Sequence, residues 1–195
     1  MPLFIRSYVS PQGNVDLWIA ADAATVIFFQ ILVSFLTRKI PAVPAITLGI
    51  VITSLSWIVL AVHPTSPGAA AAMASVFQLF GKAVVIDPAA PMVVLALVVV
   101  ALGEMTQSPR YYEYVSRLAP PGQEGMFMGY AFLPIAIGYF VSGVLAGHLL
   151  HHFGEIAHKP GQMWWVISGI GFATALLMWL YNALVSPQQA KSSQV

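Results

Sequence analysis

Glu104 has the clearest chemical potential in this 195-residue chain, because it closely follows the apolar run 93–102. That run holds no charged side chain, so it predicts a membrane-buried helix. If this helix continues, kinked at Pro109, toward Leu118, Glu104 lies near the middle of its span or slightly on the cytoplasmic side. An ionised carboxylate at that depth costs at least about 2.5 to 3.5 kcal/mol. Glu104 should therefore face a wet cavity, pair with a cation or carry a proton, as in a proton relay or an amine-binding site. The alternative is a structural ion pair with an arginine of a neighbouring helix.

Two polar residues of an earlier apolar segment are weaker candidates for the same chemistry. Asp22 lies close to the start of its segment, which favours an interfacial carboxylate or a polar helix start. Gln30 lies 8 residues further on, about 2.2 helical turns, and thus close to the same face. Gln30 could line a cavity or bond to another helix, and the sequence favours neither.

Tyr130 and Tyr139 lie inside a later apolar segment. Other aromatic residues, such as Trp18 and the pair 164–165, fall at predicted segment ends, as in the aromatic belts of membrane proteins. The two tyrosine rings could line a cavity, and packed or lipid-facing rings are the equal alternative. We therefore include Tyr130 and Tyr139 among the candidate binding residues, together with Glu104 and Gln30.

A histidine cluster raises the separate question of metal chemistry. His148, His151 and His152 have the spacing of a histidine box of membrane di-iron desaturases and hydroxylases, and neutral imidazoles suit iron or zinc. Those enzymes use several such boxes, whereas this chain has 5 histidines, of which two stand alone. The favoured interpretation is an interfacial cluster at a helix end, and a membrane metalloenzyme is the less favoured one. We expect no metal, no cofactor and no catalytic site.

The composition places all these residues in a membrane protein. Hydrophobic residues make up 58% of the chain, charged residues 8%, and the mean hydropathy is +0.81. A soluble fold of this size needs a charged surface, which so few ionised side chains cannot supply. Eight basic residues against 7 acidic ones do not make the surface that nucleic acid requires. With no cysteine, thiol catalysis and cysteine-ligated metals are excluded.

Five segments are long and apolar enough to cross a bilayer, which takes about 20 residues each. They cover approximately residues 17–36, 42–62, 91–109, 126–150 and 163–185. The sequence therefore predicts an all-α polytopic membrane protein with five transmembrane helices. We expect residues 63–90 to form an outer loop with a short helix, and residues 186–195 to form a cytoplasmic tail.

Basic residues near the ends of the spans orient the helices. Five of them would lie on one side of the membrane, and these are Arg38, Lys39, Arg110, Arg117 and Lys191. Three would lie on the other side, and these are Arg6, Lys82 and Lys159. This bias places the C-terminus in the cytoplasm. The N-terminus would then lie outside, which is natural for a fragment in which residues 1–9 are the remnant of a preceding helix.

A succession of short motifs follows from the third predicted span onward. They are GEMTQSP at 103–109, RLAP at 117–120, GMFMG at 125–129 and GVLAG at 143–147. This pattern resembles the tenth and eleventh helices of major facilitator superfamily transporters, and more narrowly those of the proton-dependent oligopeptide transporter branch. By this resemblance the five spans correspond to helices eight to twelve.

The resemblance implies a secondary transporter in which two six-helix halves rock about a midplane site. It matches Glu104 to the tenth-helix glutamate implicated in binding a peptide's amino terminus and in proton coupling. The implied partners are a small solute, such as a di- or tripeptide, protons, the lipid bilayer and the missing N-terminal half. The implied location is the plasma membrane, the inner membrane in a bacterium. The alternative is a non-transporting module, either a split half-transporter or an assembly partner.

Three positions differ from the pattern of that branch. Ala131 stands where a tryptophan is frequent, and Tyr139 stands where an asparagine is frequent. The tripeptide Arg110-Tyr111-Tyr112 replaces the Gly-Leu that follows Ser-Pro in the tenth helix. The substrate class therefore stays open between peptides and other small solutes.

Overall fold

The computed structural model describes residues 2–9, 15–62 and 90–192, which form helices and short connections without a strand. The long helices are α1 (Val15–Thr37), α2 (Ala42–Val62), α3 (Ala90–Leu118), α4 (Glu124–Leu150) and α5 (Gln162–Ser192). The N-terminal segment, residues 2–9, is helical, and a π-helical turn, His151–Ile156, continues α4. Residues 63–89, which hold most of the predicted outer loop and its short helix, lie outside the described residues.

All five long helices have the length and hydropathy to cross a membrane. The spanning stretches are Ile19–Thr37, Ala42–Val62, Met92–Leu118, Glu124–Ile156 and Gln162–Leu184. This confirms the predicted all-α polytopic membrane protein with five transmembrane helices. Helix α3 continues through Pro109 to Leu118, so Arg110 and Arg117 belong to its last turns.

Helix α2 occupies the centre of the bundle, with α3 and α5 packed against it and α1 packed against α3. Small residues allow these close approaches. A Cβ atom on Gly49 of α2 would lie 2.7 Å from the Cβ of Gln107 on α3. Between α2 and α5, Ser168 donates a buried hydrogen bond of 2.8 Å to the carbonyl oxygen of Ser54. The crossing of α2 and α3 therefore fixes the backbone on which Glu104 stands.

An aromatic cluster closes the end of the bundle where α2 ends and α3 and α5 begin. Trp164 stacks on Trp57 with 5.1 Å between ring centroids, and Phe4 meets Trp164 edge-on at 4.9 Å. Phe4 and its neighbour Ile5 are buried there with Leu60. The N-terminal segment is thus packed against the bundle, and its origin as the end of a preceding helix stays a prediction.

Helix α4 lies at the edge of the described bundle. Ala131 is the buried residue of this helix, and most of its other side chains are exposed. Near its far end, Leu149 and Leu150 pack against the buried hydrophobic core, which includes Phe4 and Trp164. The middle of α4 is open, since a Cβ atom on Gly138 or Gly143 would meet nothing within 4 Å.

Candidate functional site

Glu104 lies in the middle part of the third span, which runs from Met92 to Leu118. Its neighbour Gly103 faces α2, where an added Cβ atom would lie 2.8 Å from the carbonyl oxygen of Gly49 and against the hydroxyl of Thr53. One residue further along a helix turns the side chain by about 100°. Glu104 consequently points away from this crossing, and its side chain is exposed in the described structure.

Asp22 is an acidic residue that the structure brings near Glu104. Since α1 packs alongside α3, the two carboxyl groups lie close enough to interact electrostatically. The Oδ1 atom of Asp22 is buried and has no hydrogen-bond partner among the described residues. The site therefore contains two carboxyl groups on neighbouring helices, whereas the sequence alone favoured an interfacial role for Asp22.

Gln30 lies on the same helix as Asp22, about 12 Å further along its axis. Its side-chain amide donates a hydrogen bond of 3.0 Å to the hydroxyl of Ser34, one turn away. Gln30 is half-buried. One N–H group of this amide is thus hydrogen-bonded within α1. Within the described structure the other polar groups of the amide stay available, and Gln30 stays a candidate cavity residue.

Tyr130 and Tyr139 are both exposed on α4, with 65% and 76% of their surfaces accessible. Nine residues make about 2.5 helical turns, so the two rings leave a regular helix on opposite sides. A single cavity on one side of α4 could therefore be lined by only one of the two rings. Both tyrosines stay candidates, with the structure favouring neither.

The histidine cluster continues from α4 into the π-helical turn. His148 Nδ1 lies 2.9 Å from the carbonyl oxygen of Val144, and His151 Nδ1 lies 2.6 Å from Glu155 Oε2. These two imidazoles thus bind groups of their own helical segment. Within the residues that the structure covers, no group of three or more His, Cys, Asp or Glu side chains could hold a metal ion.

The five apolar helices define an integral membrane protein, and the carboxyl groups of Asp22 and Glu104 lie on two of its spans. Comparison with known proteins then gives the family. The POT family model matches residues 24–176, which is most of the chain. The chain belongs to the POT family, a part of the major facilitator superfamily of transporters. This confirms the resemblance seen in the sequence.

Two curated relatives also match. Both are called Multidrug resistance protein MdtH, one from Aeromonas hydrophila subsp. hydrophila and one from Aeromonas salmonicida. Each is 31% identical over 88 residues, which cover 45% of this chain and 22% of the relative. The matched segment thus spans about a fifth of the relatives' length. No solved structure shows a significant match to the chain.

Proposed function

We propose that this chain is part of a secondary active transporter that moves a small solute across the membrane together with protons. Glu104 is the carboxyl group that binds the solute or the proton. One observation carries the proposal, namely the placement of Glu104 in the middle part of a span, on an exposed face beside the tight crossing of α2 and α3. Membership of a transporter family supports the same function.

Charge balance explains why a cation belongs at this site. The five spans contain no lysine or arginine except Arg110 and Arg117 at the end of α3. An uncompensated carboxylate costs at least about 2.5 to 3.5 kcal/mol in the middle of a membrane. The positive charge near Asp22 and Glu104 must then come from a proton, from the solute or from another part of the transporter.

The solute class follows from the same chemistry. A carboxylate binds an amine through a charge-assisted hydrogen bond, so a compound with a protonated amine suits Glu104. Di- and tripeptides carry such a group at their amino terminus. The MdtH relatives are named for multidrug resistance, and other amine-bearing solutes are therefore tested beside peptides.

The remaining cavity wall belongs to a partner in this proposal. A midplane site between two halves needs residues from both, and we assign the second wall to an N-terminal half. Gln30, Tyr130 and Tyr139 are the further candidate cavity residues of this chain. The protein lies in the plasma membrane, or the inner membrane of a bacterium, with its C-terminus in the cytoplasm.

Uptake by proteoliposomes tests this function. The chain is assembled with its N-terminal half, and accumulation of a labelled dipeptide or cationic solute is measured under an imposed proton gradient. The variant Glu104→Gln should lose proton-driven accumulation and still be produced at the normal level. Glu155→Gln is the matched control, because Glu155 is exposed beside His151 at a helix end. Full accumulation by Glu104→Gln would overturn the assignment.

The exposed side of α4 also fits the second candidate, a split half-transporter or an assembly partner without transport of its own. A blot against the C-terminal tail in the native membrane separates these cases. A band near twice 21.0 kDa means that the chain is one half of a longer protein. A band near 21.0 kDa that co-purifies with an N-terminal half indicates the split form.

A further inference from the structure

Three consecutive residues near the C-terminal end of α3 contact two different helices. Arg110 reaches α1, and both Tyr111 and Tyr112 reach α4. One short stretch thus connects α3 to a neighbour on each side.

Arg110 binds the last residue of α1. Its Nη2 atom donates a hydrogen bond of 2.6 Å to the carbonyl oxygen of Thr37. The final carbonyl groups of a helix have no partner within it and carry partial negative charge, so a guanidinium group there is doubly favourable. Glu113 orients the guanidinium with a 2.5 Å contact to Nη1, and Arg117 binds the other oxygen of Glu113 at 2.6 Å. The Arg110 side chain is only 14% exposed, which strengthens these contacts.

Tyr111 and Tyr112 hold α4 at its single buried position. The Tyr111 hydroxyl donates a hydrogen bond of 2.9 Å to the carbonyl oxygen of Ala131, and the Tyr112 ring lies 5.9 Å from the ring of Phe132. The middle of α4 is open, so these contacts and the packing near Leu149 hold the helix to the described bundle near its two ends.

We propose that Arg110, Tyr111 and Tyr112 form a clasp that makes the ends of α1, α3 and α4 move as one body. The clasp defines the relative position of α1 and α3, which carry Asp22 and Glu104. Its residues are positioning residues, since they contact other helices and not the carboxyl groups. The effect of the clasp on Asp22 and Glu104 rests on the proposed function, whereas the coupling of the three helix ends does not.

The chain has no native cysteine, so a direct test is possible with pulsed electron–electron double resonance, which measures the distance between two spin labels. Spin labels are placed on the full chain at Leu36→Cys in α1 and Met126→Cys in α4, two exposed positions near the clasp. The otherwise unaltered chain should give one narrow distance peak. Tyr111→Phe, which removes a single oxygen atom, and Arg110→Gln should each broaden or shift that peak.

Two controls separate the clasp from general loosening. Tyr181→Phe removes a hydroxyl that lies 3.2 Å from the hydroxyl of Tyr114, so it alters an α3–α5 contact outside the clasp and should leave the peak unchanged. A second label pair at Leu55 and Ile170, both exposed, reports on α2 and α5 and should not respond to the clasp variants.

The result that overturns the clasp is an unchanged α1–α4 peak in Tyr111→Phe and Arg110→Gln. Equal broadening of both label pairs would also overturn it, because that result indicates general destabilisation. If Arg110→Gln does not fold, the conservative Tyr111→Phe variant decides alone. These distances are measured without transport, so they are independent of the outcome for Glu104→Gln.

Discussion

Gly103 and Gly49 face each other where α3 crosses α2, and a Cβ atom added to Gly103 would lie 2.8 Å from the Gly49 carbonyl oxygen. Real Cβ atoms essentially never approach a backbone oxygen so closely, so the two helices must separate to accept a side chain at Gly103. The residue that follows Gly103 is Glu104, and the packing of this crossing thereby sets the position of the carboxyl group.

Gly103→Ala should lower the stability of the chain and displace Glu104. Alanine gains up to about 1 kcal/mol of helix propensity, but overpacking against backbone costs about 1 to 3 kcal/mol. The net loss should appear as a lower thermal midpoint in detergent. Gly169→Ala, whose Cβ atom meets nothing within 4 Å, serves as the control and should keep or raise the midpoint. Equal midpoints for the two variants would contradict the tight crossing.

Ser168→Ala should destabilise the contact between α2 and α5. The Ser168 hydroxyl donates its 2.8 Å hydrogen bond in a buried position, and a typical bond of this kind contributes about 0.5 to 1.5 kcal/mol. Thr174→Ala is the comparison, since the hydroxyl of Thr174 is exposed and binds within its own helix. A thermal midpoint of Ser168→Ala at or above that of Thr174→Ala would argue against this bond.

Phe4→Ala should release the N-terminal segment from the bundle. Phe4 is 2% exposed against Trp164, and truncation of a buried phenylalanine costs about 3 to 5 kcal/mol. Ile5 stays buried in the same cluster, but the loss of the Phe4 ring should loosen this short segment, so its amides should exchange hydrogen faster. The adjacent Leu3 is 69% exposed, and Leu3→Ala should leave exchange unchanged. Unaltered protection of residues 2–9 in Phe4→Ala would show that the aromatic cluster does not anchor the segment.

Asp22→Asn should weaken binding of a cationic solute, if Glu104 acts as proposed. The variant removes a carboxyl group within electrostatic range of Glu104, and the lost attraction for a cation should raise KM by about tenfold or less. Asp16→Asn is the control, since Asp16 lies exposed near the start of the same helix. An unchanged KM for Asp22→Asn would remove Asp22 from the site.

The helices and the position of Glu104 inside a span could be predicted from the sequence because both depend on local properties. A span shows itself as a long apolar run, and a carboxylate inside it is conspicuous whatever its neighbours are. The spacing of nine residues between Tyr130 and Tyr139 also indicates that their side chains point to opposite sides of a helix.

The relation between Asp22 and Glu104 could not be predicted in this way. It depends on how α1 and α3 are rotated and tilted against each other, and a single sequence does not contain that information. Arg110 illustrates the same limit. As a basic residue near the end of a span it indicated orientation, and nothing in the sequence indicated that its side chain also reaches the carbonyl group of Thr37.

Proton movement shows whether Glu104 links transport of the solute to protons. Proteoliposomes with the assembled transporter are given solute on the outside without a proton gradient, and external pH is followed with a dye. Inward solute movement should carry protons with it and raise the external pH, and Glu104→Gln should abolish this rise while Glu155→Gln preserves it. A Glu104→Gln variant that moves as many protons per solute as the unaltered protein would contradict the account.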